Sequence, residues 1–196
     1  MKTKHLDLGS SIKPRNPYNK DELFAIDVQE NIGSIPGVTY IQHDFALKPL
    51  PFPDNFFDSI SAFDLIEHIP RQIFVDSKAK IIFPFVVLMS EIYRVLKPSG
   101  LLLCVTPGYP NPAAFQDPTH VNFITIETAQ YFCTPGIYAS IYGFKGNFSI
   151  KVNRFEVHTN YIDMSIPYWR KTLRRWHRKF FKGGLSHIVW ELEALK

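Results

Sequence analysis

Two histidines of this chain sit beside acids: Glu67-His68 in the segment EHIP, and His120 with Asp117 in DPTH. Imidazole titrates near neutral pH, so His68 and His120 are the candidate general bases and catalytic residues. Glu67 and Asp117 are the acids placed to orient them and to meet a substrate. The same four side chains could gather around a divalent ion, but neither pair has a recognised zinc spacing, so no metal is expected. A second set of acids, Asp7, Asp27, Asp44 and Asp64, follows a series of short apolar runs. Aspartate often does no more than cap a turn. Recurring after successive strands, however, these acids would line the crevice in which α/β sheets bind ligands.

The elements that must position them are short. Lys4–Leu8, Leu23–Val28, Gly37–His43 and Phe57–Phe63 read as strands, and Leu101–Thr106 as a strand apolar enough to be buried on both faces. Leu88, Ile92 and Val95 recur at helical spacing, so a helix is expected over Phe83–Leu96, stopped by Lys97-Pro98-Ser99-Gly100. Between the first two strands lie Pro14 and Pro17 with little periodicity, so the first helix should be shortened or absent. Gly9 opens that connection, and Asp27 follows it by 18 positions, near the spacing at which an acid meets ribose hydroxyls. A G-x-G-x-x-G fingerprint is missing, because Ser10, Ser11 and Ile12 follow Gly9, and this disfavours a dinucleotide or nucleotide-sugar enzyme. Farther on, a short helix is expected within Ile124–Phe132 and a strand over Phe148–Tyr161. A basic helix at about 168–182 and a last strand over Ser186–Leu195 follow. The resulting fold class is a Rossmann-like open sheet, mostly parallel, with one antiparallel strand near the C-terminus.

Composition narrows the setting. The 196 residues fit one domain with a self-sufficient core, with the basic helix inserted between its last two strands. No apolar run reaches the length of a membrane span, no signal peptide is expected, and Cys104 and Cys133 make neither a disulfide framework nor a zinc site. A cytoplasmic protein is the expectation. The net charge of +4 is local: seven Lys/Arg and no acid lie within Trp169–Lys182, and elsewhere 15 basic residues face 18 acidic ones. Nucleic acid is therefore not an expected partner.

Five pieces occur in an order that resembles a known family: HLDLGS (His5–Ser10), FAIDV (Phe24–Val28), HDF (His43–Phe45), LPFPDNFFDSISAFDLIEHIP (Leu50–Pro70) and EIYRVLKPSGLLLCVTP (Glu91–Pro107). The family is the class I S-adenosylmethionine-dependent methyltransferases, in particular the small type-11 domains of bacteria. DPTHVNF at Asp117–Phe123 looks like a subfamily feature. The resemblance implies a seven-stranded sheet with S-adenosylmethionine across the ends of the first four strands. Asp7 and Gly9 would form the floor, and Ser10 would meet the carboxylate end. Asp27 would take the ribose, Asp44 and Phe45 the adenine, and Asp64 and Leu65 the methionine side. Methylation of a small-molecule or glycan-type acceptor follows, at oxygen, with His120 or His68 as base. The alternative is a methyltransferase-fold protein without strong activity, serving as a binding or partner subunit.

Trp169, Leu173, Trp176 and Phe180 form an apolar stripe opposite Arg170, Arg174, Arg175, Arg178 and Lys182. The plain expectation docks this stripe on the core. Two others place Arg170–Lys182 on an anionic membrane surface, peripherally bound, or against an acidic acceptor. Oligomeric state cannot be read from the residues.

Overall fold

The structure is a computed structural model, and it describes residues 2–30, 35–45, 48–75, 80–162, 166–181 and 184–196. Strands β1 (Lys4–Leu8), β2 (Glu22–Asp27), β3 (Val38–Gln42) and β4 (Phe57–Phe63) precede a short hairpin, β5 (Ile73–Val75) and β6 (Lys80–Ile82), which the apolar runs did not announce. Helix α1 (Pro84–Val95) leads into β7 (Leu96–Pro107), then come β8 (Phe148–Glu156), α2 (Thr159–Ile162), α3 (Tyr168–Phe181) and β9 (His187–Ala194). The main sheet has the order β3-β2-β1-β4-β7-β9-β8. All its pairings are parallel except those of β9 with β7 and with β8, so β9 alone is reversed. The chain winds outward from β1 to β3 and resumes at β4 on the other side of β1. The switch point therefore lies between β1 and β4, where a crevice opens beyond the carboxyl ends of the strands.

Alternation along each strand divides the sheet into two unlike faces. Leu6, Leu8, Ile60, Ala62, Leu102, Cys104, Trp190 and Leu192 point to the larger core. There α1 covers them with Leu88, Met89, Ile92 and Val95, the side its spacing announced. Arg94, on the helix's other face, binds the carbonyls of Leu50 and Phe52 and the carboxylates of Glu91 and Asp54, which pins the proline-rich loop before β4. The helix ends at Val95. Lys97-Pro98-Ser99-Gly100 is taken up as an irregularity in β7, whose pairing jumps from Phe57↔Leu96 to Ser59↔Leu101.

On the opposite face the missing first helix has a structural substitute. Residues 9–21 contain no helix. Instead Tyr18 packs against Phe63, Leu103, Val105 and Val189 and donates its hydroxyl to Glu191 Oε2 at 3.0 Å, while the Arg15 guanidinium lies 4.4 Å over the Phe63 ring. Beneath this loop runs a buried polar chain. Ser61 Oγ donates to Asp7 Oδ1 at 2.6 Å, and His5 Nε2 lies 2.8 Å from the same hydroxyl. The Ser61 proton is committed to Asp7, so His5 Nε2 carries the hydrogen, and His5 Nδ1 accepts from Ser59 Oγ at 2.8 Å.

Two expectations are corrected. The strand read as Phe148–Tyr161 stops at Glu156, and the helix read within Ile124–Phe132 is only a 3-10 turn over Thr128–Phe132. The basic helix forms over Tyr168–Phe181, with Lys182 and Gly183 outside the described residues. Its apolar stripe is not docked: Trp169 is 61%, Leu173 58%, Trp176 53% and Phe180 61% exposed. The helix leans on the sheet through Lys171 and Arg175 instead. Asn160 Nδ2 donates to the Lys171 carbonyl at 3.0 Å, and Arg175 Nε lies 3.7 Å from the buried carboxylate of Glu156.

Burial moves His5 and Asp7 in opposite directions, lowering His5 to about 3 and raising Asp7 to about 6. His5 binds a proton only in the unfolded chain between about pH 6.5 and 3, so its stabilising share is complete above 6.5 and is lost as the pH falls. Asp7 has the reverse sign: its share is complete below its unfolded value and is lost as the pH rises through about 6. Relative to wild type, Asp7→Asn should lose stability faster on acidification from neutral pH, and His5→Gln more slowly, by up to about 1.4 kcal/mol per pH unit. Urea denaturation across that range checks both signs.

Candidate functional site

Gly9 follows β1 in the left-handed region, with φ +65°, and its amide donates to the Ile26 carbonyl at 2.9 Å. A β-carbon there would lie 2.8 Å from Leu65 Cδ1, so the loops after β1 and β4 touch at this glycine. Asp27, at the end of β2, accepts from the amides of Ser11 at 2.8 Å and Gln29 at 3.0 Å, one on each carboxylate oxygen. Partly exposed and fixed from behind, this carboxylate keeps lone pairs for hydroxyl donors. Asp44, after β3, is also partly exposed.

Three of the expected contacts take different roles. Asp7 is fully buried, with its second oxygen accepting from the Arg15 amide at 2.8 Å, so it holds the loop and positions Gly9. Ser10 is buried, its hydroxyl 3.3 Å from the Ser11 carbonyl, which leaves Ser11 as the exposed serine of the loop. The Phe45 ring is packed in the larger core, so only its backbone is left to face the crevice. Asp7 faces inward as part of β1, and Ser10 and Phe45, just beyond β1 and β3, fall on inward turns of the chain.

Beyond the ends of β4 and β7 lies a cavity of about 270 Å3. Glu67, His68, Asp117 and His120 all line it, so the two segments singled out in the sequence meet in space. What joins them is Asn122, whose amide group donates to the carbonyls of Ile66 at 2.9 Å and Ile69 at 2.5 Å. The backbone amides of Val121 and Asn122 both donate to the Glu67 carbonyl. The rings of His68 and His120 consequently stand 4.7 Å apart, edge to face. Asp117 does not orient a histidine directly; Oδ1 accepts from the Thr119 amide and hydroxyl and shapes the loop. Glu67 is 1% exposed, with Thr106 Oγ1 donating to Oε2 at 2.8 Å and Oε1 buried without a partner. Burial pushes its carboxyl up to about 7.

Asp64 forms the opposite wall with two histidines that residue type and spacing did not single out. His158 Nε2 donates to Oδ2 at 2.7 Å, and His187 Nε2 faces Oδ1 at 3.2 Å. Burial alone would raise the Asp64 carboxyl, yet the hydrogen bonds and charge of His158 and His187 hold it well below the usual carboxylate range. Asp64 has φ +49°, a costly backbone for a residue with a side chain. Topology was the signal that could have found these histidines. Since β9 runs against β7, its first residue, His187, pairs with Pro107 and so arrives at the carboxyl end of the parallel strands. His158 follows β8, which ends opposite His187.

This strand order, with one reversed strand and a crevice at the β1/β4 switch point, is the architecture of the class I methyltransferases. Residues 20–104 match the family described as "Methyltransferase domain". Among solved structures, the chain is similar to the putative methyltransferase from Haloferax volcanii in complex with the Trm112 methyltransferase activator, at 14% identity and TM-score 0.59, covering 99% of this chain and 83% of that one. An S-adenosylmethionine-dependent methyltransferase from Mesorhizobium loti gives 12% identity and TM-score 0.58, with coverage of 97% and 90%. The 4+2 cyclase SpnF gives 14% identity and TM-score 0.58, with coverage of 99% and 75%. A comparison with curated proteins gave no match. Over residues 20–104 the chain is thus similar to a methyltransferase domain, and its fold is that of S-adenosylmethionine-dependent methyltransferases.

The Gly9–Leu65 contact can be tested by itself. Gly9→Ala should destabilise by roughly 1–2 kcal/mol for the left-handed backbone plus a steric part. A double-mutant cycle with Leu65→Ala, read by urea denaturation, should remove the steric part and leave the backbone part.

Proposed function

We propose that this chain, as a single domain, transfers a methyl group from S-adenosylmethionine to a hydroxyl of a small-molecule or glycan-type acceptor held in the cavity. The observation that carries this reading is the position of the Asp64–His158 pair, next in sequence to Leu65 and hence between the Gly9 loop and the cavity. The residues at the switch point fit the cofactor: Gly9 leaves the backbone open, and Asp27 offers a carboxylate already oriented by two amides. Asp44 would meet the adenine and Leu65 the methionine side. When bound, S-adenosylmethionine supplies an electrophilic methyl on a sulfonium sulfur, which leaves as a neutral thioether.

The chain's own part is alignment and one proton transfer. His158 donates Nε2–H to Asp64, so in the neutral ring Nδ1 holds the lone pair and takes the acceptor's hydroxyl proton. Asp64 then stabilises the imidazolium. His68 and His120, on the facing wall, meet the acceptor. The base is placed at His158 rather than His120, because the Asp64 carboxylate holds His158 Nε2 at 2.7 Å whereas His120 Nδ1 faces the Ala114 carbonyl. Calorimetry should detect S-adenosylhomocysteine binding to the wild type, weakened about tenfold or more in Asp27→Ala. Once an acceptor is found from a panel, His158→Ala should lower kcat with S-adenosylhomocysteine affinity preserved. Cofactor binding without turnover on any acceptor would favour the alternative, a partner subunit that keeps the fold.

The acceptor surface in this reading is an anionic membrane. The exposed stripe of α3 carries tryptophan, leucine and phenylalanine, flanked by Arg170, Arg174, Arg178 and Lys179 with no acid in the helix, a composition suited to lying among anionic headgroups. No helix among the described residues is long and apolar enough to cross a membrane. Inserted between β8 and β9, α3 follows His158 closely, which would hold a lipid-linked glycan acceptor near the cavity. The protein should sediment with phosphatidylglycerol vesicles at low salt and not with phosphatidylcholine vesicles, and Leu173→Glu with Trp176→Glu should abolish this. Equal sedimentation with both lipids, or none, would overturn the membrane reading, and a stripe-dependent dimer in solution would assign the surface to a second copy.

A further inference from the structure

We infer that Glu67, His68 and His120 form a binding site for a divalent transition-metal ion, such as Zn2+ or Mn2+, on the acceptor side of the cavity. Each residue offers one ligand atom, and these atoms lie within 4.8 Å of one another. The protonation pattern makes them ligands rather than a self-satisfied cluster. Thr119 spends its hydroxyl proton on Asp117 Oδ1 at 2.7 Å, so it can only accept from His68 Nδ1 at 2.8 Å. The Ala114 carbonyl, 3.2 Å from His120 Nδ1, is likewise an acceptor only. Both imidazoles therefore carry their hydrogen on Nδ1 and present a bare Nε2. This is the arrangement in which metal-ligating histidines are held by a second shell of acceptors.

Glu67 supplies the independent observation. The residue is 1% exposed, Thr106 fixes Oε2 at 2.8 Å, and Oε1 is left buried with no hydrogen-bond partner. An orphaned buried carboxylate oxygen is costly, and with a ligand nitrogen of His68 and of His120 within 4.8 Å a cation would be its partner. Two nitrogens and one carboxylate oxygen favour a first-row transition ion over Mg2+ or Ca2+ and leave coordination positions open toward the cavity. Spacing in the sequence argued against a metal because zinc motifs are recognised by local pairs. Here the third ligand arrives from the segment after β7, bolted beside the first two by Asn122.

In the other cluster His158 Nε2 already donates to Asp64 Oδ2 at 2.7 Å, and that pair is left as the base. Use of the ion in catalysis rests on the proposed methyl transfer; its binding does not. In that reaction the open positions would take the acceptor's hydroxyl and lower its pKa. The O–H bond breaks with the proton passing to His158 Nδ1. The oxygen's pair forms the O–CH3 bond, the S–CH3 pair stays on sulfur, and the ion keeps its oxidation state.

Tag-free protein, stripped with EDTA and dialysed, is titrated with Zn2+ and separately with Mn2+ by calorimetry, and with Co2+ by visible absorption. One equivalent is expected in the wild type. Glu67→Gln and His120→Ala should weaken it tenfold to a hundredfold, and His158→Ala should leave it unchanged. His120 is partly exposed on a loop, and circular dichroism of each variant reports folding. Absence of stoichiometric binding, or binding that survives both substitutions, overturns the site. Parallel titration with S-adenosylhomocysteine separates the two readings: metal binding without cofactor binding keeps the site and removes the methyl transfer, and the converse removes the site alone.

Discussion

A buried aspartate at the end of the central strand is the constraint on which the rest of this structure depends. Asp7 cannot reach water, so each of its oxygens must find a donor inside the protein. One is the Ser61 hydroxyl on β4, and the other is the Arg15 amide in the connection after β1. Those bonds tie the two strands of the switch point to each other and draw residues 9–21 down across the sheet. With the loop held there, Tyr18 and Arg15 cover the smaller face that a helix would otherwise bury. The polar relay through His5 and Ser59 then explains why the inner residues of this face are hydroxyls and imidazole rather than aliphatic side chains.

The cavity depends on a second, more local device. Its walls come from the turn after β4, the loop after β7 and the ends of β8 and β9, with no regular element shared among them. Asn122 locks the first two together through backbone carbonyls, which fixes His68 and His120 without demanding anything of their rings. The reversal of β9 supplies the other wall, since only an antiparallel strand brings its own beginning to this end of the sheet. Seven ionisable side chains, Asp64, Glu67, His68, Asp117, His120, His158 and His187, thus converge where three connections end. Asp64 accepts a strained backbone to take part. The neighbours in fold include both a methyltransferase and a cyclase, so the shared architecture does not by itself fix the chemistry.

Period and punctuation carried the parts of the fold that were legible in the residues alone. Lys4–Leu8 and Phe57–Phe63 form strands with the bounds their apolar runs indicated. Leu88, Ile92 and Val95 bury as their spacing required, and prolines in the first connection excluded its helix. Alternation misled over Val157–Tyr161, where it continued beyond Glu156 although pairing with β9 had run out. Periodicity also misled for α3. An apolar stripe of helical period announces a helix, but which side faces the sheet is decided by competition: buried Glu156 draws in Arg175 and Asn160 binds the Lys171 carbonyl, while the stripe remains in solvent. That Ser10 and the Phe45 ring face inward was not legible for a related reason, since residue type alone does not say on which side of a turn a side chain falls.

Local chemistry by itself determined the strands of the main sheet, helix α1 and the acids that close the strands, because these follow from short-range alternation, capping and proline geometry. Tertiary structure alone decided that EHIP and DPTH would share one cavity, that His158 and His187 would face them across it, and that Asp7 would hold the loop from beneath. Those outcomes depend on which strand lies beside which and in what direction, and on where buried polar atoms can find partners. Both are properties of the packed chain, set by contacts between residues far apart in sequence.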